Sequence, residues 1–401
     1  MRSDTAAIVG DVRARGDAAL RELAAKFDGV TLGALEVPRD EWTRALQGIP
    51  IDVRDAMERS ARNIAKAHKA FLPTASECET EPGITIGRRP DPLARVGVYA
   101  PGGRAAYPSS VLMGAVPARV AGVSEVIVCT PPDKTGVPSP IILAAAALAS
   151  VDRVFAVGGA GAIAAMAYGT DTIPRVNRIV GPGNAYVAEA KLQVAGAVSI
   201  DSPAGPSELL VLADETSDAR AVAVELLAQA EHDPRACVVA VVVGERVATE
   251  IISAVETLVD DQPRRDIIHD ALRSYGGVIV ASDRAEAISF SNDYAPEHLL
   301  VGYADPEPAL SLIRNAGTIF LGAKSSVSFG DYMTGANHVL PTGGLARSYS
   351  GLSVLDFMRW TTYQRVSPSA AMSLAAAVSA FAEAEGLPGH ARAARFAGDI
   401  G

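Results

Sequence analysis

RVGVYAPGGRAAYPSSVLMGAVPARVAGVSEVIVCT, residues 95–130, is the stretch on which the fold turns. Two short apolar runs, VGVYA and EVIVCT, have strand length, and the segment between them, SVLMGAVPARVAGV, has helix length and helical spacing. A connection this long does not close a hairpin. It predicts a crossover between parallel strands, a βαβ unit. Downstream the pattern continues: IILAAAALA and AIAAMAYG read as helices, RVFAV and RIVG as strands. A second set follows, with ELLVLAD, CVVAVVV, GVIVAS and AGTIFLG as strands and RAVAVELLAQAEH and ERVATEIISAVETLV as helices. The two sets are alike in texture, with no repeated motif. Upstream, ALRELAAKF and residues 53–71 read as amphipathic helices, and residues after about 350 read as helical and poor in strands.

Composition narrows the function classes. The chain has 401 residues, 49% of them apolar and 20% charged, enough for two or three buried cores in a globular protein. Its start, MRSDTAAIVGDVRARGD, is charged and has no apolar leader region, and no apolar run is long enough to span a bilayer. A cytosolic location is expected. The formal charge of −10 opposes a general nucleic-acid role, which needs clustered cations. Cys78, Cys129 and Cys237 are isolated, with no CxxC spacing, so neither a disulfide framework nor a thiolate zinc site is expected. Each reads as a small buried apolar residue.

The chemistry-bearing residues gather in four segments. Residues 292–301, NDYAPEHLLV, set Glu297 beside His298, the pairing that proton transfer needs. LLAQAEHD, residues 226–233, places Gln229 and His232 three apart on a helix, a spacing for two ligands on one metal as well as for a solvated helix end. GDYMTGANHVLPT, residues 330–342, carries Asp331 and His338 in a glycine-rich loop, and AEAEGLPGH, residues 382–390, carries Glu385 and His390 around a turn. Four of the six histidines fall in these four segments, which a random scatter does not predict.

Three glycine-rich turns lead into helices: residues 99–110, 154–167 and 180–191. Gly159-x-Gly161-x-x-Ala164 has the shape of a dinucleotide fingerprint but lacks a clearly placed ribose-reading acid; a plain strand-to-helix turn is the other reading. The other two turns offer N–H groups for phosphate or serve as structural loops. Ser207 stands just before a strand, as a substrate-binding hydroxyl or a turn serine.

Taken together, VGVYAPGG, YPSSVLM, VGPGNAYVAEAK, AGPSELLVLAD, LLAQAEHD, APEHL, GDYMTGANHVLPT, SGLSVLDF and AEAEGL..H closely resemble the histidinol dehydrogenase family, in family order and over nearly the whole chain. The resemblance implies an intertwined homodimer whose subunits each hold two incomplete Rossmann-like parallel-sheet domains and small helical pieces. It implies one zinc (Zn2+) per site, held by Gln229, His232 and Asp331 and completed by His390 from the other subunit. It implies oxidation of L-histidinol through L-histidinal to L-histidine, the last step of histidine biosynthesis, with two NAD reduced. It implies that His298 takes the alcohol proton and that Glu297 activates water. Ser207, His338 and Glu385 become substrate contacts, and Tyr99 and Asn184 NAD contacts.

The expected organisation is a helical part over residues 1–93 packing on the second α/β domain, a first Rossmann-like domain over 94–206, a second over 207–345, and a helical tail over 346–401 crossing to the partner. Two departures from the family stand out. Gly161 occupies the place of a glutamine that contacts NAD, and the chain begins late relative to the family. A relative on the same scaffold oxidising another polar alcohol, such as a sulfonated propanediol, would change Ser207, His338 or Glu385, all of which are retained. A non-catalytic metabolite-binding descendant would lose the Glu-His pair or a ligand, and both are present.

Overall fold

Valine- and isoleucine-rich runs, apolar on both faces, pair into two parallel sheets wrapped by helices. The computed structural model describes residues 1–102, 106–203 and 205–399. Positions 103–105 of the 99–110 turn, and position 204 ahead of Ser207, lie outside the described residues. The chain divides into two compact units, residues 1–71 with 93–357, and residues 72–92 with 358–401.

In chain order the elements begin with helices α1 (Arg2–Arg15), α2 (Asp17–Leu23), α3 (Arg39–Gly48) and α4 (Ile51–Ala70), then strands β1 (Ser76–Glu81) and β2 (Ile84–Pro92). Next come β3 (Arg95–Tyr99), α5 (Pro108–Ala121), β4 (Glu125–Thr130), α6 (Pro140–Leu148), β5 (Arg153–Ala156), α7 (Gly159–Tyr168), β6 (Arg178–Val180), α8 (Ala185–Val194) and β7 (Ser199–Ile200). They are followed by β8 (Glu208–Ala213), α9 (Ala219–Ala230), β9 (Cys237–Val243), α10 (Glu245–Leu258), α11 (Arg265–Tyr275) and β10 (Gly276–Ala281). Then come α12 (Arg284–Tyr294), β11 (His298–Val301), α13 (Glu307–Leu310), β12 (Thr318–Leu321) and α14 (Val327–Tyr332). The chain closes with β13 (Met358–Val366), α15 (Pro368–Ala384) and α16 (Pro388–Asp399).

In the larger unit one sheet runs β5-β4-β3-β6-β7 and the other β10-β9-β8-β11-β12, every pairing parallel. Counted within each half, both have the order third-second-first-fourth-fifth. That is a doubly wound half-sheet with its switch point between first and fourth strands, β3/β6 and β8/β11.

The N-terminal helices pack chiefly on the first sheet's layer, where the sequence reading placed them on the second domain; α4 also touches that second half, at Asn63. α1 packs on α7 and α8, α3 on α6, and α4 on α5. The reason is physical. Helices α5 and α7 bury almost every residue, so their outer faces need cover. Val9, Val12 and Leu20, with Val30, Leu32 and Leu35, supply it and join one core with Phe155, Ile163 and Val187. On α4 the buried residues Met57, Ser60, Ile64 and His68 recur at helical spacing along one stripe.

The smaller unit also corrects the expectation of purely helical ends. Its strands form an antiparallel sheet, β1-β2-β13, beside the packed helix pair α15–α16. All of β1 is exposed, so no apolar alternation marks it. The signals were the Pro82-Gly83 turn and the β-formers of MRWTTYQRV. Arg88 lies 4.0 Å over the Trp360 ring, and the Tyr363 hydroxyl donates to Glu77 at 2.6 Å, so side-chain pairs tie the three strands. Within this unit Met372, Phe381 and Phe396 are exposed. The cysteine expectation holds fully for Cys129 alone: Cys78 is exposed on β1, and Cys237 is half-buried and takes the Tyr294 hydroxyl at 2.9 Å.

Candidate active site

The Glu297–His298 pair is delivered by a forced turn. Helix α12 ends in Ala295, whose left-handed backbone (φ 55°) is uncommon for a residue with a Cβ and costs about 1 kcal/mol. Pro296 follows, and His298 opens β11 between β8 and β12. Both side chains are buried. His298 Nδ1 lies 3.0 Å from the Glu208 carbonyl oxygen, which only accepts, so Nδ1 carries a proton and Nε2 is the nitrogen that faces the cavity side of the ring. Nε2 has no hydrogen-bond partner among the described residues, and Asp331 Oδ1 stands 3.5 Å from it. Glu297 Oε2 accepts from the Glu208 N–H at 2.7 Å and lies 3.4 Å from His298 Nδ1, behind the imidazole. Burial disfavours the imidazolium, but the flanking Glu297 and Asp331 carboxylates outweigh it and push His298 up to about 10. A cation bound at Asp331 would draw that carboxylate's charge away and lower the imidazole's hold on its proton.

Gln229 lies in the last turn of α9, which Asp218 caps at its start by accepting from Arg220 and Ala221 N–H. His232 is beyond the helix, but its N–H reaches the Gln229 carbonyl at 3.3 Å, so one final turn keeps the expected three-residue register. Gln229 is buried, yet its amide makes no hydrogen bond to a described residue. Asp331 is on the short helix α14, not in a loop. Burial by itself weakens it as an acid, but the imidazoles of His298, His338 and His232 more than offset this and hold the carboxyl below its usual range. His338 donates from Nδ1 to the Asp331 carbonyl at 3.1 Å, and burial keeps the imidazole neutral.

The loop after α14 is tied down on every side. Asn63 on α4 donates to the Met333 carbonyl at 2.7 Å, and Asn337 donates to the Met113 carbonyl of α5 at 2.8 Å. The Gly205 N–H donates to Thr342 Oγ1 at 2.5 Å, and the Gly343 N–H to Glu208 Oε1 at 2.8 Å. The other Glu208 oxygen is buried without a partner among the described residues, and burial raises the Glu208 carboxyl above the usual range.

The first sheet contributes the turn after β6. Gly181 has φ 114°, and a Cβ there would lie 2.1 Å from the Tyr99 carbonyl oxygen, so only glycine fits. Its N–H donates to Asp201 Oδ2 at 2.7 Å, and its carbonyl accepts from Lys191 Nζ at 2.6 Å. Lys191 and Asp201 are themselves a buried ion pair. The clamped turn presents Asn184, whose Oδ1 caps α8 by accepting from Tyr186 and Val187 N–H.

These pieces border one cavity of about 610 Å³, in the size range of small-molecule sites. Its walls include Ser207, Gln229, His232, Glu297, His298, Asp331 and His338 from the second half, and Asn184, Ser109 and Ser110 from the first. The first sheet faces it with the carboxyl ends of β3 and β6. The second faces it with the amino ends of β8 and β11.

Two expected cofactor contacts are not on that wall. Tyr99 is buried, and its hydroxyl accepts from the Gly159 N–H at 3.0 Å. Gly161 is buried inside α7, where a Cβ would meet Leu23 Cδ1 at 3.0 Å and Leu20 Cδ2 at 3.3 Å. The position expected to face a dinucleotide is thus closed by α2. Gly158 and Gly161 answer to packing, with a Cβ on Gly158 coming within 2.6 Å of Pro131, whereas Gly159 has open space around it and answers to its left-handed backbone, φ 62°. Glu385 and His390 belong to the smaller unit and are exposed at the end of α15 and the start of α16. Among the described residues no three His, Cys, Asp or Glu side chains form a group able to hold a metal.

A family model described as histidinol dehydrogenase matches residues 1–397. The chain belongs to the histidinol dehydrogenase family. It is 52% identical over 392 residues to a histidinol dehydrogenase of Halobacterium salinarum, covering 98% of this chain and 92% of the relative. It is 48% identical over 389 residues to one of Methanosarcina barkeri, covering 97% and 90%. A crystal structure of histidinol dehydrogenase from Elizabethkingia anophelis superposes with a TM-score of 0.95 at 37% identity, covering 98% of this chain and 91% of that one. The chain is therefore an enzyme of the dehydrogenase class, built on the family's α/β fold. No helix among the described residues is long and apolar enough to cross a membrane.

Proposed function

We propose that the protein oxidises L-histidinol through L-histidinal to L-histidine with zinc and NAD, as a cytoplasmic homodimer. Membership of the histidinol dehydrogenase family supports the substrate. The observation that carries the chemistry is His298: a buried imidazole whose Nδ1–H is fixed on the Glu208 carbonyl and whose Nε2, 3.5 Å from Asp331, makes no hydrogen bond to a described residue.

Gln229, His232 and Asp331 offer an amide oxygen, an imidazole nitrogen and a carboxylate, a nitrogen-and-oxygen set suited to zinc. The unpaired, buried Gln229 amide fits a ligand role. One subunit supplies three donors, and His390 of the partner subunit makes the fourth. Bound zinc supplies a point that fixes the substrate's nitrogens, and NAD supplies the hydride acceptor in each of two oxidations.

The chain's own residues do the rest. His298 takes the alcohol proton at Nε2. Glu297, behind the ring, stabilises the imidazolium and then takes a proton from the water that hydrates the aldehyde. Ser207, His338 and Glu385 orient the substrate, and the Asn184 turn borders the dinucleotide. Burial of the pair excludes bulk water from the reacting carbon.

The test is the yield of NADH per molecule of L-histidinol from zinc-loaded protein in excess NAD. Two NADH with L-histidine as product support the reading. No turnover by folded, zinc-loaded protein overturns it and directs attention to another polar alcohol.

A further inference from the structure

We propose that the amino end of α5 is an anion subsite of the cavity, made for a carboxylate or phosphate group and using the Ser109 and Ser110 hydroxyls. The inference rests on the proposed dehydrogenase reading and deepens it. Ser109 is 9% and Ser110 1% exposed, and both border the cavity. Neither hydroxyl hydrogen-bonds another described residue, so two buried donors are left for a ligand.

The backbone at this place has the matching polarity. Tyr107, at the N-cap, gives α5 no side-chain cap, and Pro108 opens the helix. Pro108 has no N–H and the Ser110 N–H donates to the Tyr107 carbonyl at 3.1 Å, so the 14-residue helix contributes chiefly its positive partial charge at that end, and the hydroxyls supply the donors. Eleven of its residues are buried, so solvent screens the field little. On the facing wall Glu297 and Asp331 repel an anion. A ligand held there by its nitrogens turns its own negative oxygens toward the serines.

Two sources supply such oxygens in this reaction. The carbon being oxidised ends as a carboxylate, and the dinucleotide carries a pyrophosphate. The site lies after β3, at the switch point of the first sheet, where doubly wound folds receive phosphate.

The experiment measures calorimetric dissociation constants with the full-length, zinc-loaded protein and its Ser109→Ala, Ser110→Ala and double variants. The ligands are L-histidine against histamine, which lacks the carboxylate, and NAD against nicotinamide riboside, which lacks the phosphates. Loss of about tenfold or more for L-histidine with histamine unchanged assigns the subsite to the carboxylate. The same loss for NAD with the riboside unchanged assigns it to phosphate. Unchanged constants for all four ligands, or equal losses within both pairs at a normal unfolding midpoint, overturn the subsite. If the double variant does not fold, the Ser110→Ala protein alone decides by the same comparison. If the parent binds none of the four, the dehydrogenase reading fails instead. The subsite then stands only if the parent binds inorganic pyrophosphate and the double variant loses it.

Discussion

His298 is held on three sides by groups that leave one nitrogen free. The Glu208 carbonyl fixes the tautomer, Glu297 backs the ring, and Phe320 stacks at a centroid distance of 6.1 Å. His298→Asn keeps a donor toward Glu208 and loses the base. Turnover of L-histidinol should fall by about 10²–10⁴-fold with zinc content unchanged by metal analysis. Near-normal turnover would falsify the role given to His298. Gly161 invites a different test. A glutamine there gains helix propensity of up to about 1 kcal/mol over glycine. It also drives a side chain into Leu20 and Leu23, where overpacking costs about 1–3 kcal/mol and the amide has no partner. The clash should win. Gly161→Gln should lower the midpoint of denaturant unfolding, and a midpoint equal to the parent's would show that α2 yields freely.

At the scale of elements, what counts is how helix and strand ends are fixed. The Lys191–Asp201 pair holds both backbone groups of Gly181. Lys191→Ala leaves Asp201 buried without its counter-charge, at a cost of about 3–5 kcal/mol. Chemical denaturation should read that loss, with weaker NAD binding as the Asn184 turn slackens. On α4, His68 accepts from the Val354 N–H at 3.2 Å and leaves its Nε2–H buried. Burial lowers its affinity for a proton, and nearby Asp356 only partly restores it. The unfolded chain therefore binds the proton more readily near pH 6.5. The His68 contribution to stability is full above that pH and is lost as pH falls below it. Unfolding midpoints of parent and His68→Asn protein, compared from pH 8 to 5.5, should diverge at high pH and converge at low pH.

The sequence made the strands, the crossover helices and the Glu-His pair legible, because each is a local pattern of apolar period or adjacent residues. It did not show which sheet the N-terminal helices cover, since an amphipathic stripe such as Met57–Ile64–His68 fits any apolar layer. Glu208, Lys191, Asp201 and Asn337 passed unnoticed. Each looks like an ordinary polar residue until burial shows its partners: backbone groups far along the chain for Glu208 and Asn337, and each other with the Gly181 turn for Lys191 and Asp201. Lys191 left a faint signal, a lysine on the face of α8 that otherwise carries Val187 and Val194 into the core. Gly161 misled because a glycine needed for close packing and one needed for phosphate approach are spelled alike.

At the scale of the whole molecule, the same strand order occurs twice but is used at opposite ends. The first half brings the loops after its strands to the cavity, where backbone N–H groups suit phosphate. The second brings the residues that open β8 and β11, where Glu297 and His298 are fixed by neighbouring strands. One subunit contributes Gln229, His232 and Asp331 to the proposed metal site, and the fourth donor is assigned to His390 of the partner subunit. Mixed dimers of His232→Ala and His390→Ala chains should then recover activity. In such a dimer one of the two sites has both ligands intact, so up to about half of the parent's activity per dimer is expected. Verified mixed dimers that stay as inactive as either variant alone count against the shared site.

The incomplete donor set also ties two equilibria together. If metal is held across the subunit boundary, each bound ion strengthens association, and association tightens each ion by the same factor. Dilution then acts as a chelator, and a chelator acts as a dissociating agent. Specific activity should fall as protein concentration drops, and excess zinc should restore it along the same curve that restores the dimer.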